Sequence, residues 1–271
     1  MQKARIVRRV VLGTATLFVV WLFGVWPPPV WWRQHDPRCT AMMRLHGAPP
    51  GCLRPTVALS AIAPRLLRMV IIAEDSRFRA HHGIDLVELH EAWRERARRG
   101  ELRGASTITQ QLAKNLYLSP SRSPLRKLKE AVTALRIELA LPKDRIMELY
   151  LNVAEWGPGV WGVAAASEAY FGVPPSRLTD AQAAALAATL PHPLTSNPAY
   201  RPARMLARRV LILARYYGGA VPVPPVLEDS LTIPAVPPID APLLPPVIDT
   251  LMDSLRVQTD SGQDTTRTGK D

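Results

Sequence analysis

Hydrophobic residues first run unbroken along this chain and then recur every three or four positions. Between Val10 and Trp26 no charged residue interrupts the apolar run, which is just long enough to cross a bilayer as a helix. From about Pro64 to Gly219 the apolar positions keep helical spacing, with few of the alternating runs that mark strands. Leu66, Leu67, Val70 and Ile71 form an apolar stretch running into Glu74, and Leu86, Leu89 and Trp93 mark the face of the next helix. Further helical stretches are predicted over Thr107–Leu116, Leu125–Leu141 and Asp144–Val153. Thr179-Asp180-Ala181-Gln182 reads as a capping box opening an alanine-rich helix, and Gly218-Gly219 ends the last one. The expected fold class is mainly α, with a single N-terminal transmembrane helix ahead of a helical domain.

After Val221 the pattern stops. Prolines from Pro222 to Pro246 exclude regular helix, and the polar stretch from Ser254 to Asp271 carries too little apolar surface to fold alone. The chain therefore divides into a basic tail over 1–9, an anchor and interface over 10–32, a linker over 33–63, a helical domain over 64–221 and a proline-rich, partly disordered tail over 222–271.

Charge narrows the setting. A net charge of +11 and a pI near 10.2 point to an anionic partner: nucleic acid, an acidic membrane surface or a phosphate-bearing substrate. Lys3, Arg5, Arg8 and Arg9 precede the apolar run, which places the N-terminus in the cytoplasm and the rest outside. Trp26, Trp31 and Trp32 suit the outer interface. The Pro27-Pro28-Pro29 stretch offers no small-residue cleavage site, so the anchor is expected to be retained rather than removed as a signal peptide. A body outside the cytoplasm argues against nucleic acid and for lipid or cell-envelope substrates. Cys39 and Cys52 lie in that oxidising space, either as a disulfide or as two free thiols.

Five blocks carry the candidate chemistry. The first, Ala73-Glu74-Asp75-Ser76-Arg77-Phe78-Arg79-Ala80-His81-His82-Gly83, ends an apolar helix on a carboxylate. That carboxylate is either a solvated helix end or a base whose proton affinity burial tunes. The second, Gly104-Ala105-Ser106-Thr107-Ile108-Thr109-Gln110-Gln111, enters a helix through a small-residue turn, where Ser106 or Thr107 is a candidate N-cap. Gln111, Lys114 and Asn115 then follow on one face. The third, Arg126-Lys127-Leu128-Lys129-Glu130, sets one acid among bases and reads by itself as a solvated Arg126–Glu130 pair. Tyr150-Leu151-Asn152 and Gly157-Pro158-Gly159-Val160-Trp161-Gly162 complete the set.

In this order and spacing the blocks resemble the motifs of the peptidoglycan glycosyltransferase family: Glu-Asp-x-x-Phe-x-x-His-x-Gly, Gly-x-Ser-Thr-Ile-x-Gln-Gln, Arg-Lys-x-x-Glu, a Tyr-Leu-Asn block and Gly-x-Gly-x-x-Gly. They cover roughly residues 70 to 195. No Ser-x-x-Lys or Lys-Thr-Gly occurs, so the resemblance is to the monofunctional branch rather than to bifunctional penicillin-binding proteins. It implies a partly lysozyme-like helical fold that polymerises lipid II into glycan strands, with inversion and release of polyprenyl pyrophosphate. It further implies Glu74 as general base, Glu130 as a second carboxylate positioning substrate, and Lys114 and Arg122 on the pyrophosphate. Arg126 and Lys127 would assist, while Ser106, Gln110, Gln111 and Asn115 would shape the sugar cleft, and residues 85–103 with Leu86, Leu89, Trp93 and Leu102 would line a lipid-facing groove. The implied setting is the inner membrane with a periplasmic catalytic domain, and the implied partners are lipid II, the growing lipid-linked strand, the membrane and other cell-wall synthesis or division proteins. The family resemblance allows a divalent cation, Mg or Mn, though no metal site is legible in the residues. Two rival readings are a lytic enzyme that cleaves glycan, which needs no pyrophosphate cradle, and a noncatalytic scaffold on anionic lipid.

Overall fold

The computed structural model describes residues 2–48, 52, 56–99, 105–121, 123–200 and 202–218. The proline-rich tail expected from 222 onward, together with Gly219, Leu102 and Arg122, lies outside the described residues.

Helix α1 (Gln2–Phe23) starts before the uncharged run, because the Lys and Arg residues ahead of that run are themselves good helix formers. Its 22 residues extend about 33 Å, enough to cross a hydrocarbon layer of about 30 Å. None of its side chains is buried, and the Thr14 and Thr16 hydroxyls bond to carbonyls one turn back, so they need no water. Lys129 sits over the Trp21 ring and Arg136 over the Phe23 ring, which ties the end of α1 to the body. Of the three expected interface tryptophans, Trp26 and Trp31 are exposed and Trp32 is not. Trp32 is buried and its Nε1 donates to Tyr117 Oη at 2.6 Å, because the chain has already turned into the body through the short 3-10 helix Pro29–Arg33.

The described residues between 33 and 63 pack on the body. Helix α2 (Ala41–Leu45) is capped by Thr40 and enclosed by a disulfide between Cys39 and Cys52. Asn152 of the Tyr-Leu-Asn block accepts from the Val57 amide and donates to its carbonyl, both at 2.8 Å. Glu148 accepts the Leu59 amide at 2.6 Å, so this block works as a clamp on the incoming chain.

The body is built around an alanine helix. Helices α3 (Pro64–Glu74), α4 (Leu86–Arg99), α5 (Ile108–Tyr117), α6 (Pro124–Ala140), α7 (Lys143–Val153) and α8 (Val163–Phe171) precede it; α9 (Asp180–Thr189) is the alanine helix and α10 (Pro202–Tyr216) follows. The capping box read at Thr179–Gln182 opens α9, whose residues Ala183 to Thr189 are all buried. Short side chains let α3 and α10 pack directly against α9, while α5 packs on α2, α6 and α7. Leu86, Leu89 and Trp93, read as the apolar face of one helix, are exposed on α4 at 71%, 47% and 70%. Helical spacing marks an apolar face without saying what covers it.

A hairpin missed by the periodicity, β1 (Glu155–Gly157) with β2 (Val160–Trp161), carries the Gly-x-Gly-x-x-Gly block. Two close approaches explain its glycines. A Cβ on Gly157 would lie 2.1 Å from Tyr170 Oη, and one on Gly162, at φ +80°, would lie 2.7 Å from the Asn152 carbonyl oxygen.

Candidate active site

The first two motif blocks meet at the N-terminus of α5, and most of their polar residues are used in holding it. Asp75 turns inward past the end of α3 and accepts from His81 Nε2 at 2.9 Å and from the Ile108 amide at 3.0 Å. The second bond satisfies an N–H that the first turn of α5 leaves open, with a carboxylate at the positive end of the helix. His81 Nδ1 accepts the Gly83 amide at 3.2 Å, and the Gly83 carbonyl accepts from Thr107 Oγ1 at 2.6 Å. Thr107 then caps α5 in a reciprocal box with Gln110. Gln110, expected to shape the sugar cleft, is buried and its amide oxygen is taken by the Thr107 amide, since a glutamine three residues past a threonine cap closes the box.

Asp75, His81 and Asp85 bring three donor atoms within 4.8 Å of one another. Most of these atoms already have hydrogen-bond partners, Asp85 Oδ2 being the exception. Asp85 Oδ1 accepts the Val87 and Glu88 amides at the start of α4, and its Oδ2 lies 3.0 Å from Arg77 Nε. Both His81 nitrogens are taken, Nε2 by Asp75 and Nδ1 by the Gly83 amide, which leaves the ring no lone pair to offer a divalent cation.

Glu74, the last residue of α3, has a side chain only 7% exposed. Gln111 Nε2 donates to its Oε2 at 3.0 Å, Tyr150 Oη donates to Gln111 Oε1 at 3.0 Å, and Arg208 of α10 reaches its Oε1 at 3.3 Å. Burial raises the proton affinity of Glu74 above the ordinary carboxylate value; Arg208, Gln111 and Lys114 oppose it without cancelling it. The result is an oriented carboxylate whose proton affinity is raised by burial.

Lys114 lies one turn beyond Gln111 on the same side of α5. Burial lowers its proton affinity, Glu130 and Glu155 raise it, and Arg126 and Lys127 lower it further. Glu130 on α6 is buried, bonded to Arg126 Nη1 and Lys127 Nζ, and Lys127 also donates to Ser106 Oγ at 2.9 Å. The Arg126–Glu130 pair is therefore present, but it is buried rather than solvated. Gln111, Lys114, Asn115 and Tyr150 line a cavity of about 310 Å³ with Glu155 and Trp161, walled opposite by Leu190 to Thr195. The structure thus gathers Gln111, Lys114 and Asn115 around one space, with Glu74 bonded to Gln111 and with Ser106, Arg126, Lys127 and Glu130 linked to one another.

Comparison with known proteins accounts for this arrangement. The family described as transglycosylase matches residues 50–217. The chain belongs to the transglycosylase family. It is 41% identical over 222 residues to the biosynthetic peptidoglycan transglycosylase of Azoarcus sp., covering 79% of this chain and 96% of that protein. The protein of the same description from Thiobacillus denitrificans is 41% identical over 215 residues, 76% of this chain and 91% of its own. That from Bordetella pertussis is 44% identical over 195 residues, 68% of this chain and 79% of its own.

Two residues of this transglycosylase site escape the motif reading. Tyr150 stands in a recognised block, but only its bond to Gln111 ties it to the residue that holds Glu74. Arg208 stands in no block, and the basic residues recurring along α10 give no hint which of them turns toward Glu74.

Proposed function

We propose that this peptidoglycan glycosyltransferase polymerises lipid II, a disaccharide-peptide on polyprenyl diphosphate, with Glu74 as the general base. The acceptor hydroxyl oxygen bonds to the donor's anomeric carbon while the bond from that carbon to diphosphate breaks. Glu74 takes the hydroxyl proton, the electron pair leaves with polyprenyl diphosphate, and attack opposite the leaving group inverts the α-linked donor to a β-linked product.

The observation that carries this reading is the pairing of a buried, proton-hungry Glu74 with Lys114 one turn beyond its bridging Gln111. Lys114 makes no hydrogen bond or ion pair among the described residues, so its ammonium is left for a substrate anion. A cation facing charge that grows as the bond breaks stabilises the transition state more than the ground state. Arg122 is assigned a second such contact from its place in the sequence alone. Ser106, Gln111 and Asn115 border the sugars, and Glu130 holds Arg126 and Lys127 at the edge of the cavity. The exposed apolar face of α4 is assigned to the lipid. An inner-membrane anchor with the N-terminus cytoplasmic and the catalytic domain periplasmic is supported by the apolar α1 and by Lys3, Arg5, Arg8 and Arg9 ahead of its uncharged run.

Purified full-length protein given labelled lipid II should form high-mass glycan and release polyprenyl diphosphate. Soluble fragments from purified sacculi, with no polymer from lipid II, would establish the lytic reading instead.

A further inference from the structure

Glu155 opens β1 and borders the same cavity as Gln111, Lys114 and Asn115, yet it belongs to none of the roles above. Trp161 of β2 is its cross-strand partner, so the two side chains leave the hairpin on one face, and both line the cavity. His46, just beyond α2, borders the cavity as well. Its Nδ1 lies 2.9 Å from Glu155 Oε2, and its ring lies 5.9 Å from that of Trp161. The strand is fixed in turn, since Tyr170 Oη donates to the Trp156 carbonyl at 2.8 Å. One oxygen of Glu155 is therefore held. The other, Oε1, has no hydrogen-bond partner among the described residues, and the side chain keeps 11% of its surface exposed.

We propose that Glu155, oriented by His46 and flanked by Trp161, is a sugar-binding residue of this cavity, with Oε1 bonding a hydroxyl of the lipid II disaccharide. This rests on the reading of the cavity as the cleft in which lipid II reacts. The lining selects the occupant. A phosphate on this wall would be set against a carboxyl group, and an amine of the stem peptide would share the space with the Lys114 side chain. A sugar ring is neutral, offers several O–H donors and has apolar C–H faces. It matches a wall of one carboxyl group and one indole facing a cavity that Gln111 and Asn115 also line. Burial raises the proton affinity of Glu155, but a carboxyl group hydrogen-bonds to a hydroxyl in either protonation state, so the contact needs no standing charge. His46 touches Glu155 rather than the assigned sugar position, which makes it a positioning residue that acts through Glu155.

The test gives full-length wild type, Glu155→Leu, Glu155→Gln and His46→Ala either lipid II or analogues in which single sugar hydroxyls, other than the attacking one, are replaced by hydrogen. Glu155→Leu should raise KM for lipid II about tenfold with kcat close to wild type, because a contact kept throughout the reaction contributes uniform binding. Glu155→Gln keeps an acceptor oxygen and should raise KM less. One deoxy analogue should cost the wild type a similar factor and cost Glu155→Leu nothing further. His46→Ala should raise KM in the wild type and leave it unchanged in Glu155→Leu. Should Glu155→Leu fail to fold, Glu155→Gln runs the same cycle at smaller amplitude. Equal KM in wild type and the Glu155 variants would overturn the proposal. So would a raised KM to which no deoxy analogue couples, the result expected if the substitution only distorts the hairpin. Coupling to an analogue without the stem peptide instead would assign the wall to the peptide and overturn it too. Wild-type protein that makes no polymer at all would defeat the functional reading beneath it.

Discussion

Arg208 approaches Glu74 across 134 residues of sequence, and its effect on the base has a definite sign. Its cation favours the ionised carboxylate, so Arg208→Met should raise the proton affinity of Glu74 beyond the rise that burial already causes. The protonated, inactive form then persists to higher pH, and the acid limb of the rate profile moves upward. A limb that stays in place would mean that Arg208 acts on something other than the base. The Glu74 carboxylate itself was legible, because the apolar stretch from Leu66 to Ile71 runs straight into it. Its partners were not. Arg208 stands more than a hundred positions from Glu74, and helical spacing carries no signal at that range.

At the scale of elements, the predicted helices Leu125–Leu141 and Asp144–Val153 fall within one residue of α6 and α7, since capping chemistry and apolar spacing agree there. The short hairpin was hidden because strands of three and two residues leave no alternation to read. Gly83 shows how a motif position can be structural without being chemical. At φ +94°, with the Ala134 backbone 3.1 Å from where a Cβ would sit, Gly83→Ala should destabilise the protein by about 1–3 kcal/mol and loosen the α3–α5 junction. Thermal melting would show this, and an unchanged melting temperature would contradict the packing described. The disulfide around α2 makes a second case. Replacing Cys39 and Cys52 by serine should cost about 2–4 kcal/mol through the freed loop of the unfolded chain. Denaturant unfolding of the variant against the wild type measures that loss directly.

For the whole molecule, the parts separate cleanly in sequence: an apolar anchor, a helical body bearing every motif, and a proline-rich tail. The family match ends at residue 217, so a protein ending at Val221 should polymerise lipid II at close to the full-length rate. Loss of folding in that truncated form would show that the tail packs on the body. A Glu74 that takes the acceptor's proton differs in one measurable way from a group that only binds. Glu74→Gln keeps shape and polarity while removing the base. Lipid II binding and single-turnover polymerisation should therefore be measured side by side on wild type and Glu74→Gln. The account predicts near-normal binding with turnover reduced by about 10² or more; undiminished turnover in Glu74→Gln would contradict it and pass the role of base to Glu130.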